Sequence, residues 1–182
     1  MIRSLYNLTR TINTHIDTIP IKKDFNLREI TPILKRYNGT DWYDYKIKNS
    51  MFSKTYNDSS QFQRIPIYFK DLDNLKYSSL YDMYLLVWNP YCHTSIHSHP
   101  EGACIMKILE GSIIEHTFVN AECFGNEKIF LQNDINFTTD NMGVHRFINN
   151  NMGYAYSLHI YSPALYDMTY ENKKKLINKN EN

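Results

Sequence analysis

Apolar positions along the 182-residue chain keep two different rhythms. Up to about Tyr56 the spacing is partly helical, with Leu5-Tyr6 and Leu8 on one face. After Asp24, the stretch FNLREITPILKRY sets Phe25, Ile30, Ile33, Leu34 and Tyr37 at intervals near 3.6, with Pro32 inside it. A proline in a helix interior removes a hydrogen bond and clashes with the preceding turn. The pattern therefore predicts two short helices, the second begun by Thr31-Pro32 and stopped by Tyr37-Asn38-Gly39. From Arg64 onward the rhythm shifts to short runs of aromatic and β-branched residues: RIPIYFK (64–70), YDMYLLVWNP (81–90), CIMKILEG (104–111), SIIEHTFV (112–119), EKIFL (127–131), VHRFIN (144–149) and YAYSLHIYSP (154–163). Glu110-Gly111 reads as a turn that folds the third and fourth runs into a hairpin. Many short strands after a helical start predict a mainly β chain, a small barrel or double-sheet sandwich. One domain is expected over 1–182, with a helical part over about 1–56, a barrel over about 64–170 and a polar tail, ENKKKLINKNEN.

Composition narrows the partners. The formal net charge is +1, with 42% apolar and 21% charged residues, so no broad basic surface points to nucleic acid or an anionic membrane. No run reaches the roughly 18 apolar residues that span a bilayer. The start, MIRSLYNLTR, carries no apolar signal core, and three cysteines (Cys92, Cys104, Cys123) form no C-x-x-C pair. The expectation is a cytoplasmic protein with reduced thiols, monomeric, with no membrane or nucleic-acid partner.

Chemistry concentrates in YCHTSIHSHPEGAC, residues 91–104. His97 and His99 are two apart in a segment expected to be extended, so both imidazoles share a face and can enter one interior. A third ligand would come from His145, His159, His116 or His93, and spacing alone leaves that choice open. Glu101, Glu110 and Glu115 are carboxylates that could complete a two-His-one-carboxylate iron site.

The layout HTSIHSHPEGAC, with Gly111 seven residues beyond Cys104, resembles the first motif of the cupins. Cysteine at position 104, where most cupins have a glutamate ligand, together with YSLHIYSP, resembles the cysteine dioxygenase family of thiol dioxygenases. NMGVHRFIN matches that family's second motif, a Gly-x-His-Arg core with Asn149 four residues after His145. The match runs from about Ile67 to about Tyr166.

That resemblance implies a cupin-type β-barrel (a double-stranded β-helix) holding a non-haem Fe(II) on His97, His99 and His145. Three neutral imidazoles would leave the metal its charge for a thiolate substrate and O2. It implies a thioether between Cys104 and Tyr161, as animal members form, and a hydrogen-bonded row of Ser157, His159 and Tyr161. It also implies a cis peptide at Ser162-Pro163. The family holds the substrate carboxylate with an arginine in a Tyr-x-Arg context. Aligning IYFKDL puts Tyr68 and Lys70 at those positions, with Arg64 able to serve if the loop shifts. Arg146, as strand neighbour of His145, is expected to point away.

The expected function is oxidation of L-cysteine to cysteine sulfinate, with cysteine catabolism as its setting. The alternatives are the same reaction on another small thiol such as 3-mercaptopropionate, or a non-catalytic metal-binding cupin acting as a sensor.

Overall fold

The structure is a computed structural model that describes residues 1–22, 25–49, 54–55, 62–72, 77, 79–97, 102–120, 123–139 and 144–164. The polar tail of the sequence reading lies outside them. Helix α1 (Leu5–Asp17) is capped by Ser4, whose hydroxyl accepts from the Asn7 amide at 3.1 Å. Its apolar stripe is Leu5, Leu8, Ile12 and Ile16, all fully buried. A 3-10 turn (Leu27–Ile30) leads into α2 (Thr31–Arg36), which carries Pro32 in its first turn, where the missing N–H costs nothing. The two-helix reading of that stretch therefore holds. Helix α3 (Trp42–Asn49) follows, with no strong apolar stripe to announce it.

The strands are β1 (Lys54–Thr55), β2 (Phe62–Pro66), β3 (Asp82–Trp88), β4 (Ala103–Glu110), β5 (Ser112–Asn120), β6 (Cys123–Leu131), β7 (Ile135–Thr139), β8 (Val144–Ile148) and β9 (Ala155–Ser162). They form a six-stranded sheet, β1-β2-β3-β9-β4-β7, and a three-stranded sheet, β6-β5-β8. The two face each other as a cupin-type jelly roll without closing into one continuous barrel. One expectation is corrected here. β4 and β5 do not pair as a hairpin; β4 pairs with β7 and β9, while β5 pairs with β6 and β8. A single residue, Gly111, separates them, too few for a two-residue hairpin loop. Its φ of +78° turns the chain from one sheet to the other, and a Cβ there would meet the Ala155 Cβ at 3.0 Å.

Strand alternation sorts the side chains into two cores. On β9, Tyr156, Leu158 and Ile160 face outward with Leu85, Val87 and Ile105, and the helices α1 and α2 cover them. Ala155 and Tyr161 face inward with Phe62, Tyr84, Leu86, Trp88, Met106 and Phe147. Each fully buried leucine or isoleucine of the outer layer contributes about 1.5–3 kcal/mol. The layers are also tied by a buried cation. Lys107 on β4 is 2% exposed and donates to the carbonyls of Leu34 (3.1 Å) and Tyr37 at the end of α2. No helix among the described residues is long and apolar enough to cross a membrane.

Candidate active site

The inward face of β9 carries Ser157, His159 and Tyr161 in one row, as period-two alternation requires. All three are buried. The indole of Trp88, fully buried on neighbouring β3, donates from Nε1 to Ser157 Oγ at 2.8 Å. Indole N–H is donor-only, so Ser157 accepts it, and the same hydroxyl shares a second hydrogen bond with His159 Nε2, 2.9 Å away. The other ring nitrogen, Nδ1, faces the Tyr161 hydroxyl at 3.4 Å and Cys104 Sγ at 3.7 Å. Trp88 thus ties β3 to this row through the serine.

Cys104 and Tyr161 are direct cross-strand partners on β4 and β9, and their side chains are in hydrogen-bonding contact. Burial pushes the Cys104 thiol up to about 12, against the opposing pull of the Arg64 charge. Burial also raises Tyr161, with the neighbouring Cys104 adding to the rise, so the side chain stays a phenol and a donor. Arg64 Nη2 lies 3.5 Å from the Tyr161 hydroxyl, and its guanidinium sits 5.7 Å from that ring's centre.

The histidines expected as ligands come together in part. The segment from Thr94 to His97 runs antiparallel to β8. The His97 and His145 amides exchange hydrogen bonds with each other's carbonyls at 2.9 Å, and the Thr94 amide bonds the Phe147 carbonyl at 2.9 Å. The rings of His97 and His145 stand 4.7 Å apart. His97 Nδ1 donates to the Ser95 carbonyl at 2.9 Å, and His145 Nδ1 donates to Glu115 Oε1 at 2.7 Å. Both rings thus carry a proton on Nδ1, which leaves Nε2 as the nitrogen that a neutral imidazole would offer a metal. Burial lowers the pKa of His97, which favours the same neutral form. This donor chemistry fits Fe, Zn, Ni or Cu. Among the described residues no group of three donors is assembled, and His99 and Glu101 lie outside them.

The stretch expected to bind substrate, Tyr68 and Lys70, follows the end of β2 at Pro66. Tyr68 is 50% exposed, and its amide is tied at 2.8 Å to the Tyr45 hydroxyl on α3. Lys70 opens a 3-10 turn, Lys70–Leu72, and its side chain lies outside the description. β2 begins at Phe62 rather than Arg64, pairs Phe62 with Trp88 and Arg64 with Leu86, and ends at Pro66. This register brings Arg64 toward the interior, where its charge is felt by His97, Cys104 and Tyr161. Phe62 stacks on Trp88 with ring centres 5.1 Å apart.

The remaining polar residues of the motifs have structural partners. Asn149 is buried and its Nδ2 donates to the carbonyls of Asn89 and Gly153, both at 2.9 Å, closing the end of the sandwich. Arg146 points outward, as alternation predicts, and donates to His116 Nδ1 at 3.3 Å, while His116 Nε2 donates to Glu127 at 2.8 Å. The peptide Ser162-Pro163 is cis, as the resemblance implies.

Two facing sheets with this inward-pointing histidine and tyrosine set define a cupin. Among solved structures, TT1209 from Thermus thermophilus is 17% identical, covering 65% of this chain and 98% of that one at a TM-score of 0.46. The cupin_2 domain of an XRE family transcriptional regulator from Enterobacter cloacae is 8% identical, covering 56% and 95% at a TM-score of 0.43. The family model for cysteine dioxygenase type I matches residues 22–173, and the chain belongs to that family of thiol dioxygenases. Cysteine dioxygenase type 1 of Bos taurus is 26% identical over 169 residues, which is 85% of this chain and 76% of that protein. The Homo sapiens protein is 27% identical over 149 residues, 77% of this chain and 66% of that protein.

Proposed function

We propose that the chain is a non-haem Fe(II)-dependent dioxygenase that adds both atoms of O2 to the sulfur of a small thiol carboxylate. L-Cysteine is the first-choice substrate and cysteine sulfinate the product. His97, His99 and His145 would hold the iron. Bound Fe(II) would supply the Lewis acidity and electron transfer that O2 chemistry on sulfur requires. The observation that carries the reading is the position of Arg64. One guanidinium stands within electrostatic reach of His97 and of the Cys104–Tyr161 pair.

Arg64 would take the substrate carboxylate through its planar fork and fix the distance of the thiol from the metal ligands. Tyr161, held as a phenol by burial, would donate a hydrogen bond toward the reacting sulfur and oxygen. His159 and Ser157, oriented by Trp88, would hold the tyrosine in place. The direct pairing of Cys104 with Tyr161 supports a thioether between them, an oxidation that removes two hydrogens and needs O2 as acceptor.

The test is metal analysis of the purified chain, then oxygen uptake with product analysis on L-cysteine, 3-mercaptopropionate and cysteamine. About one iron per chain, with uptake and sulfinate from cysteine, supports the proposal. Uptake with 3-mercaptopropionate alone moves the substrate. Bound metal without uptake on any thiol favours the binding-only cupin and rejects catalysis. Intact mass with peptide mapping detects the thioether.

A further inference from the structure

We infer that Glu115 is the positioning residue of the metal centre: it aims His145 and supplies the negative charge that the ligand set lacks. This rests on the proposal that His145 is a ligand. Glu115 lies on β5 and is 7% exposed; His145 on β8 is 3% exposed. In the β5–β8 register Thr117 faces His145 and Glu115 faces Phe147, so Glu115 is the diagonal neighbour of His145 on the inner face. Its Oε1 accepts from His145 Nδ1 at 2.7 Å, a short contact of the charge-assisted kind. Its Oε2 accepts from Asn136 Nδ2 at 3.3 Å, and Asn136 is itself within 3.3 Å of Thr138 Oγ1. Asn136 and Thr138 are on β7, in the other sheet.

Both carboxylate oxygens are therefore engaged by protein donors. That arrangement suits a group that orients a ligand and argues against Glu115 as a ligand itself. A carboxylate behind an imidazole fixes the proton on Nδ1, aims Nε2 and makes the ring a stronger donor. Three imidazoles alone would leave the full metal charge inside a largely apolar interior. Glu115 offsets part of it one hydrogen bond away while leaving the coordination positions open. A purely structural Glu115 would only join the two sheets through Asn136. The two roles differ in what they do to the metal.

The experiment compares the full-length wild type with Glu115→Gln and Glu115→Ala. Fe(II) affinity is measured anaerobically by chelator competition, and the absorption spectrum is recorded after Co(II) substitution. Thermal unfolding of each metal-free chain provides the structural control. Glu115→Ala should weaken metal affinity about 10–100-fold, the range found for such supporting groups. Glu115→Gln keeps an oxygen that can accept from Nδ1 but loses the charge, so it should recover part of the affinity while shifting the Co(II) bands. Wild-type affinity and an unchanged Co(II) spectrum in Glu115→Gln would overturn the inference, whether or not the alanine variant folds. So would loss of metal in Glu115→Gln as complete as in His145→Ala, which would make Glu115 a ligand. A wild type that binds no metal would instead reject the metal reading itself.

Discussion

Replacing Arg64 with alanine should raise KM for cysteine far more than it lowers kcat. The guanidinium extends from β2 with Nη2 3.5 Å from the Tyr161 hydroxyl, so it is already held beside the reacting groups before substrate arrives. A hydrogen bond to a charged group is worth about 1.5–3 kcal/mol, and each 1.4 kcal/mol is about tenfold. Loss of the carboxylate contact then raises KM about 10–100-fold. An interaction made equally in the ground and transition states changes KM and leaves kcat. The assay is initial-rate oxygen uptake on the iron-loaded enzyme, with cysteine and with cysteamine. Cysteamine has no carboxylate, so its KM should change little in the variant. Arg64→Lys should recover part of the loss, because lysine keeps the charge without the fork. An unchanged KM for cysteine in Arg64→Ala, or an equal rise with both thiols, would refute the assignment.

Three further outcomes follow from the geometry. Trp88→Phe keeps the stack on Phe62 but removes the donor to Ser157, and should lower kcat about tenfold for one lost hydrogen bond; if Ser157→Ala and the double variant do not give overlapping, non-additive losses, the row does not act as a unit. Lys107→Met should cost about 2–4 kcal/mol in urea unfolding, because it strips two carbonyls at the end of α2 of a buried charged donor; an unchanged midpoint would show that the tie contributes nothing. Burial pushes Cys92 from about 9 up to about 11. The folded chain thus holds that proton more tightly than the unfolded chain. The resulting stability is complete below about pH 9 and fades as pH rises toward 11. Cys92→Ala should flatten that alkaline decline, and an identical slope would contradict it.

Much of the fold is legible in the sequence because most of the strands carry apolar residues where burial demands them. β9 is buried along nearly its whole length, covered by the helices outside and the site inside, and its outward Tyr156, Leu158 and Ile160 mark it as a strand while Ser157 and His159 alternate with them. β7 escapes notice for the opposite reason: its buried inner positions are the polar Asn136 and Thr138, recruited to the Glu115 network, so its pattern is inverted. The row of Ser157, His159 and Tyr161 and the pairing of Cys104 with Tyr161 follow from strand alternation once the motifs are aligned. Arg64 and Lys70 differ in what local sequence can say of them. A fixed spacing from the motif selects Lys70, whereas the cation that lies beside Tyr161 is set by the register of β2 against β3, which local sequence does not give. Cross-strand pairing of Phe62 with Trp88 fixes the register that brings Arg64 beside Tyr161. Glu115 is visible as a carboxylate near the histidines, and only the register of β5 against β8 turns it from a ligand candidate into a hydrogen-bond partner.

β9 lies between β3 and β4 in the six-stranded sheet, laddered on both sides. Amides in such a strand open only when the whole molecule opens. The tyrosine and its supporting row are therefore anchored to the part of the protein that lets go last. Heat or denaturant that silences the row must first dismantle the domain, so inactivation through this part of the site and global unfolding should share one midpoint.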